Sequence, residues 1–201
     1  MFSRALPALL LAWVALVPGT GYADDLAIMN RAAWGAAVPV LAMKRHKPVR
    51  LTLHHTATRQ NPKTGLKTKL RNLQRFSQSR AKLSDGRTKK RWADIPYHYY
   101  IAADGGIGEG REVAFVGDTN TRYDPTGHIG IVLEGNFERE KPTAAQVEAT
   151  VRLLAYLARR HNIAPERIGG HRDVARTACP GRALEALLPT IRERVADALV
   201  R

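Results

Sequence analysis

Val49-Arg50-Leu51-Thr52-Leu53-His54-His55-Thr56 is the stretch on which the fold reading turns. Apolar and polar side chains alternate through Leu53, the signature of a strand with two differently occupied faces. Leu51, Leu53 and His55 share one face, and Thr52 and His54 share the other. A strand that ends in two histidines delivers an imidazole to each side of a sheet. On the pattern alone His54 is favoured for a cleft, because its face is the polar one, and the choice between the two stays open.

Downstream, Arg167-Ile168-Gly169-Gly170 reads as a second short strand after the break at Pro165, delivering His171. It opens Gly170-His171-Arg172-Asp173-Val174-Ala175-Arg176-Thr177-Ala178-Cys179-Pro180-Gly181, which holds the chain's only cysteine. A protein with one cysteine makes no internal disulfide. Metal ligation is the leading reason for a thiol here. His54, His171 and Cys179 would supply three nitrogen and sulfur donors and leave a fourth position for water, the arrangement of a catalytic zinc site. Tetrahedral bonds of roughly 2.0–2.3 Å require the three donor atoms to lie within about 4 Å of one another. His98, His128 and His161 read as structural or surface histidines, and His46 carries no signal.

The other elements follow from periodicity. Leu66, Leu70, Leu73 and Phe76 fall at helical spacing, and Ser84-Asp85-Gly86 marks a turn. Tyr97 to Ala102 is a strand, Asp104-Gly105-Gly106 its hairpin turn, and Ile107 to Val116 the returning strand. His128 to Glu134 is apolar enough to lie centrally. Thr143 and Gln146 form a capping box before a helix with Val147, Val151, Leu154 and Ala158 on one face. A last helix starts near Pro189 and runs through Ile191, Val195 and Leu199. The result is a single α/β or α+β domain without repeats.

Residues 1–23 read as a signal peptide: Arg4, an apolar run from Leu6 to Val17, and Gly21-Tyr22-Ala23 before Asp24-Asp25. The run is short for a transmembrane span, which needs about 20 residues; an uncleaved anchor is the alternative. Cleavage leaves residues 24–201, with 24–48 a leader packed on the domain and 49–201 the domain itself. Export places the protein in the periplasm or outside the cell, without stable membrane insertion after cleavage. The formal charge of +14 favours an anionic partner. An exported protein without a nucleic-acid motif is not expected to bind nucleic acid, and carboxylate-rich cell wall suits it better. Residues 59–92 are strongly basic. Within them Lys89-Lys90-Arg91 reads as a solvated loop, with attraction of substrate as the alternative.

The chain resembles the zinc-dependent N-acetylmuramoyl-L-alanine amidases of the peptidoglycan recognition protein and phage T7 lysozyme type. The resemblance runs from about Arg31 to Val195. It rests on Arg31-Ala32-Ala33-Trp34-Gly35-Ala36, Leu53-His54-His55-Thr56-Ala57, Trp92-Ala93-Asp94-Ile95-Pro96-Tyr97-His98-Tyr99, Gly108-Glu109-Gly110-Arg111, Gly130-Ile131-Val132-Leu133-Glu134-Gly135-Asn136-Phe137, and the His171 to Gly181 segment. It implies a mixed β-sheet flanked by helices, with Zn2+ in a groove that binds a peptidoglycan stem. It implies that His54, not His55, is a ligand, together with His171 and Cys179. Tyr97 matches the tyrosine that contacts the reacting carbonyl, a core aromatic being its bland alternative. Thr177 stands where the phage enzyme has lysine, and is expected to add a hydrogen bond. Related amidases carry a catalytic glutamate at the position of Val132, so Glu134 is expected to have a hydrogen-bonding or salt-bridge role instead. The family's Ala-His pair is missing from Phe115-Val116-Gly117-Asp118-Thr119-Asn120. The implied activity is hydrolysis of the amide between N-acetylmuramic acid and L-alanine. A non-catalytic peptidoglycan-binding module is the alternative. Peptidoglycan or a muropeptide is the expected partner, and a monomer the expected state.

Overall fold

A computed structural model of the chain describes residues 26–83 and 86–200. The expected signal peptide, and Ser84 and Asp85 of the expected turn, lie outside the described residues. The elements in order are β1 (Ile28–Met29), α1 (Arg31–Trp34), β2 (Arg50–His55), α2 (Leu66–Ser77), β3 (Ala81–Lys82), β4 (Thr88–Lys89), β5 (Tyr99–Ile101), β6 (Ile107–Glu109), β7 (His128–Leu133), α3 (Ala144–His161), β8 (Ile168–Gly170), α4 (Arg182–Glu185) and α5 (Leu188–Val200).

Six strands form one sheet in the order β1-β6-β5-β7-β2-β8, and β3 with β4 makes a separate hairpin. Only β5 and β6 run antiparallel within the large sheet; the other neighbours are parallel. The sheet is therefore mixed, and helices flank it. β7 lies between β5 and β2, the central place its apolar sequence calls for. The segment before residue 49 belongs to this structure: β1 is an edge strand, and Trp34 is fully buried with its indole N–H donating to the Glu109 carbonyl.

The two sheet faces are occupied differently. On one, Leu51, Leu53, Ile101, Ile129, Ile131, Leu133 and Ile168 pack against α3 and α5 in one continuous core. Thr143 and Gln146 close the expected capping box of α3. On the other face, Trp34, Leu70, Ile95, Tyr100 and Val132 form a second, smaller core. Helix α2 sits so close to β6 there that a Cβ on Gly108 would lie 2.5 Å from the Leu70 side chain. Only glycine admits that approach.

The returning strand ends at Glu109 rather than Val116. The buried Arg111 guanidinium donates to the carbonyls of Asp94, Ile95 and Val116 and pairs with Asp118, which draws the chain into a loop. Phe76 is largely exposed at the last turn of α2, not inward. Lys89 also departs from the solvated reading. It is buried, and its ammonium donates to the carbonyls of Ser77, Ser79 and Lys90 at 2.7–2.9 Å, above the Phe76 and Trp92 rings.

Candidate functional site

β2 and β8 are parallel neighbours with Leu53 opposite Gly170. The residues that follow, His54 still within β2 and His171 just past the end of β8, therefore lie at the same level. His171 opens a short 3₁₀ turn ending at Asp173. Both imidazoles are buried and their ring centroids are 4.6 Å apart. The loop that returns Cys179 is tied down locally. Arg172 donates to the Ala178 carbonyl at 2.7 Å, and the Cys179 N–H donates to Thr177 Oγ1 at 3.2 Å. Gly181 ends the loop at φ 92°, and a Cβ there would lie 2.6 Å from the Phe137 backbone. These ties bring Cys179 Sγ to 3.6 Å from His54 Nδ1.

The donor atoms of His54, His171 and Cys179 all lie within 4.8 Å of one another. That is slightly wider than the 4 Å or so a loaded tetrahedral centre requires. Burial, then the neighbouring histidines, hold His54 well below the ordinary imidazole range, and burial lowers His171 to about 4. Both rings are thus neutral and keep a lone pair to donate. Burial pushes the Cys179 thiol up to about 12, so ionising it calls for a cation alongside. Two neutral imidazoles and one thiol are the donor set of a zinc centre with an open position.

Tyr97, half-buried just before β5, packs its ring 5.0 Å from that of His54. Burial, then the neighbouring Cys179, raises its phenol well above the ordinary range, so the O–H stays protonated and available to donate. Thr177 uses its Oγ1 as the acceptor for Cys179 N–H. His55 points to the other face, where its Nδ1 accepts from Phe137 N–H at 3.2 Å. Glu134 is saturated: its carboxylate accepts from Lys69 Nζ at 2.6 Å and from the Asn61 and Ala103 N–H groups. The salt-bridge role expected for it is the one observed. His98 and His46 have both ring nitrogens engaged with backbone, which fits a structural role.

Three residues of the site carried no sequence signal. Thr121 Oγ1 lies 2.8 Å from His171 Nε2, and Thr119 Oγ1 lies 2.8 Å from Thr121 Oγ1. Tyr123 packs 5.0 Å from the His171 ring and 5.4 Å from His128. They sit in the loop that lacks the family's Ala-His pair and has no hydrophobic periodicity. A Thr-x-Thr pair, prone to local hydroxyl turns, is the only hint the sequence offers.

A profile of the N-acetylmuramoyl-L-alanine amidase family matches residues 44–182. The pig N-acetylmuramoyl-L-alanine amidase is 33% identical over 174 residues, 82% of this chain and 27% of that longer protein. The crystal structure of Drosophila peptidoglycan recognition protein SD superposes with a TM-score of 0.71 at 31% identity, covering 82% of this chain and 94% of that one. The human recognition protein PGRP-IBETAC, in complex with glycosamyl muramyl pentapeptide, gives a TM-score of 0.67 at 30% identity, covering 81% and 94%.

Proposed function

The chain belongs to the N-acetylmuramoyl-L-alanine amidase family, and from that premise we propose that it hydrolyses the amide joining N-acetylmuramic acid to L-alanine in peptidoglycan, with Zn2+ held by His54, His171 and Cys179. The carrying observation is the convergence of those three donors beside a phenol, on a sheet face that also presents Thr52 and His128. A bound muramyl pentapeptide in the human relative supports the same class of partner here. A module that only binds peptidoglycan has no chemical use for a half-buried, unpaired thiol set against two neutral imidazoles. Residues 1–23 act as the export signal in this reading, residues 24–48 as the leader, and residues 49–201 carry the amidase domain in the periplasm or outside the cell.

Zinc at these residues would supply a Lewis acid and an activated water at neutral pH. The chain's own residues do the rest. With the metal held at His171 Nδ1, the Nε2–H would donate to Thr121 Oγ1, whose own hydroxyl would donate to Thr119 Oγ1. Such an outer partner fixes the tautomer and the ring direction of a ligand. The Tyr97 hydroxyl donates to the carbonyl oxygen as negative charge develops on it. Thr177 holds the Cys179 turn, and its hydroxyl hydrogen remains to donate to substrate.

The test is product analysis after incubation with purified peptidoglycan. The reading expects intact stem peptides with a free L-alanine amino terminus and uncut glycan strands. New reducing sugar ends would identify a glycosidase instead. Retention on peptidoglycan without products would identify a binding module.

A further inference from the structure

Residues 59–92 hold twelve of the chain's 32 Lys and Arg residues and one of its 18 acidic residues. This stretch therefore carries a formal +11 of the chain's +14. A net charge that merely aids solubility would be spread over the molecule; here most of the excess lies in the one stretch that carries α2 and the β3–β4 hairpin. Two of its cations are spent inside the fold, Lys69 on Glu134 and Lys89 on three carbonyls. Lys89 thereby pins the hairpin to the C-terminal end of α2, so the cations around it are presented by a fixed support rather than a loose loop.

The remainder point outward. Lys67, Arg71 and Arg75 lie four residues apart in a row along α2, all exposed. Like charges at that spacing destabilise a helix, so the row stands against intrinsic stability. Arg71 reaches the Trp34 carbonyl, whereas Lys69 reaches Glu134. The row therefore lies on the α1 flank of the helix, away from the flank that meets the end of β7. Arg80, Lys82, Lys90 and Arg91 continue it beyond the helix, also exposed. Among the described residues, Lys67, Arg80, Lys82 and Lys90 form no ion pair.

We propose that this face is a second contact surface for polymeric peptidoglycan, engaging the carboxylates of stem peptides beyond the one held at the metal cleft. The proposal takes the identity of the polymer from the amidase reading. A concentrated field of one sign raises the local concentration of an oppositely charged polymer and speeds its capture. The cleft fixes a single stem, and the basic face retains the chain of stems to which it is joined.

The experiment compares zinc-loaded wild type with Lys67→Gln/Arg80→Gln/Lys82→Gln/Lys90→Gln in co-sedimentation with purified sacculi. Salt is varied from about 0.01 M to about 1 M, where the screening length falls from about 30 Å to about 3 Å. Wild-type binding is expected to weaken steeply with salt. The variant should bind about tenfold more weakly at low salt, with a flatter salt dependence. Its cleavage of a soluble single-stem muropeptide should match wild type, which also shows that it folds. Equal sacculus binding by the two proteins would overturn the proposal. So would wild-type binding to anionic phospholipid vesicles as tight as to sacculi, because the face would then be a lipid surface. If muropeptide cleavage is absent in both proteins but sacculus binding differs as expected, the amidase reading fails and this one stands.

Discussion

The two faces of the sheet are built from the same strands and do different work. On the face under α3 and α5, Ile129, Ile131 and Leu133 of β7, Leu51 and Leu53 of β2 and Ile168 of β8 form a fully buried apolar layer. On the other face, α1 and α2 cover only the part around β6 and β5. The same strands present Thr52, His54, His128, Gly130 and Gly169 there, outside the core that α1 and α2 cover. Period-two alternation lets one strand serve both faces at once. In the proposed function, stability and chemistry fall to alternate residues of β2, Leu53 and His54 being adjacent in sequence and on opposite faces.

If the faces are separable, damage to each should be read by a different instrument. The largest effect belongs to the sealed face. Ile131→Ala should cost about 2–5 kcal/mol in urea unfolding, the range for emptying a buried β-branched or leucine side chain. Its zinc affinity under folding conditions should stay at the wild-type value, and a parallel loss of metal would break the separation. On the open face, Tyr97→Phe should lower turnover by about 10²–10³, the loss for one oxyanion donor, with stability and zinc content unchanged. Wild-type turnover in that variant would remove Tyr97 from the chemistry. Thr121→Val should weaken zinc affinity by about 10–100-fold in a chelator competition, and Thr121→Ser should restore it. A merely structural threonine would instead lower the unfolding midpoint and leave affinity alone.

The effect that is smallest per pH unit sharpens the comparison through pH. His98 lines the small cavity under the cleft with His54, Tyr97 and His128. Burial lowers its pKa to about 3, below the 6.5 of the unfolded chain. The unfolded state therefore takes up a proton that the native state refuses. Stability from this residue is complete above pH 6.5 and declines as pH falls towards 3, by about 1.4 kcal/mol per pH unit. His98→Gln should flatten the acid limb of a urea-midpoint profile by about that slope. An unchanged profile would mean that His98 titrates alike in the native and unfolded states.

Much of this was legible in the sequence for a physical reason. Alternation in Leu51-Thr52-Leu53-His54, the Thr143–Gln146 box and the lone Cys179 are local signals whose structural consequences are local too. The sequence reading fell short where a distant partner overrides a local pattern. Lys89 belongs to a charge run, yet three carbonyls and two rings bury it. Ile107 to Val116 continues a strand pattern, yet Arg111 gathers carbonyls from Asp94, Ile95 and Val116 and folds it into a loop. Thr121 reaches His171 across 50 residues, a contact that no periodicity encodes. His54 and His55 were separable only weakly from the pattern. The structure divides them by face, sending His55 to Phe137 and His54 to Cys179.

The proposed chemistry requires one metal ion on the open face, held by His54, His171 and Cys179. Elemental analysis of the purified protein, side by side with Cys179→Ser, tests it most directly. A hydroxyl is a poor substitute for a thiolate on zinc. The account predicts one zinc per chain in the wild type and a markedly lower content in the variant after dialysis against a weak chelator. A wild-type protein that releases stem peptides at full rate while containing no metal would contradict it.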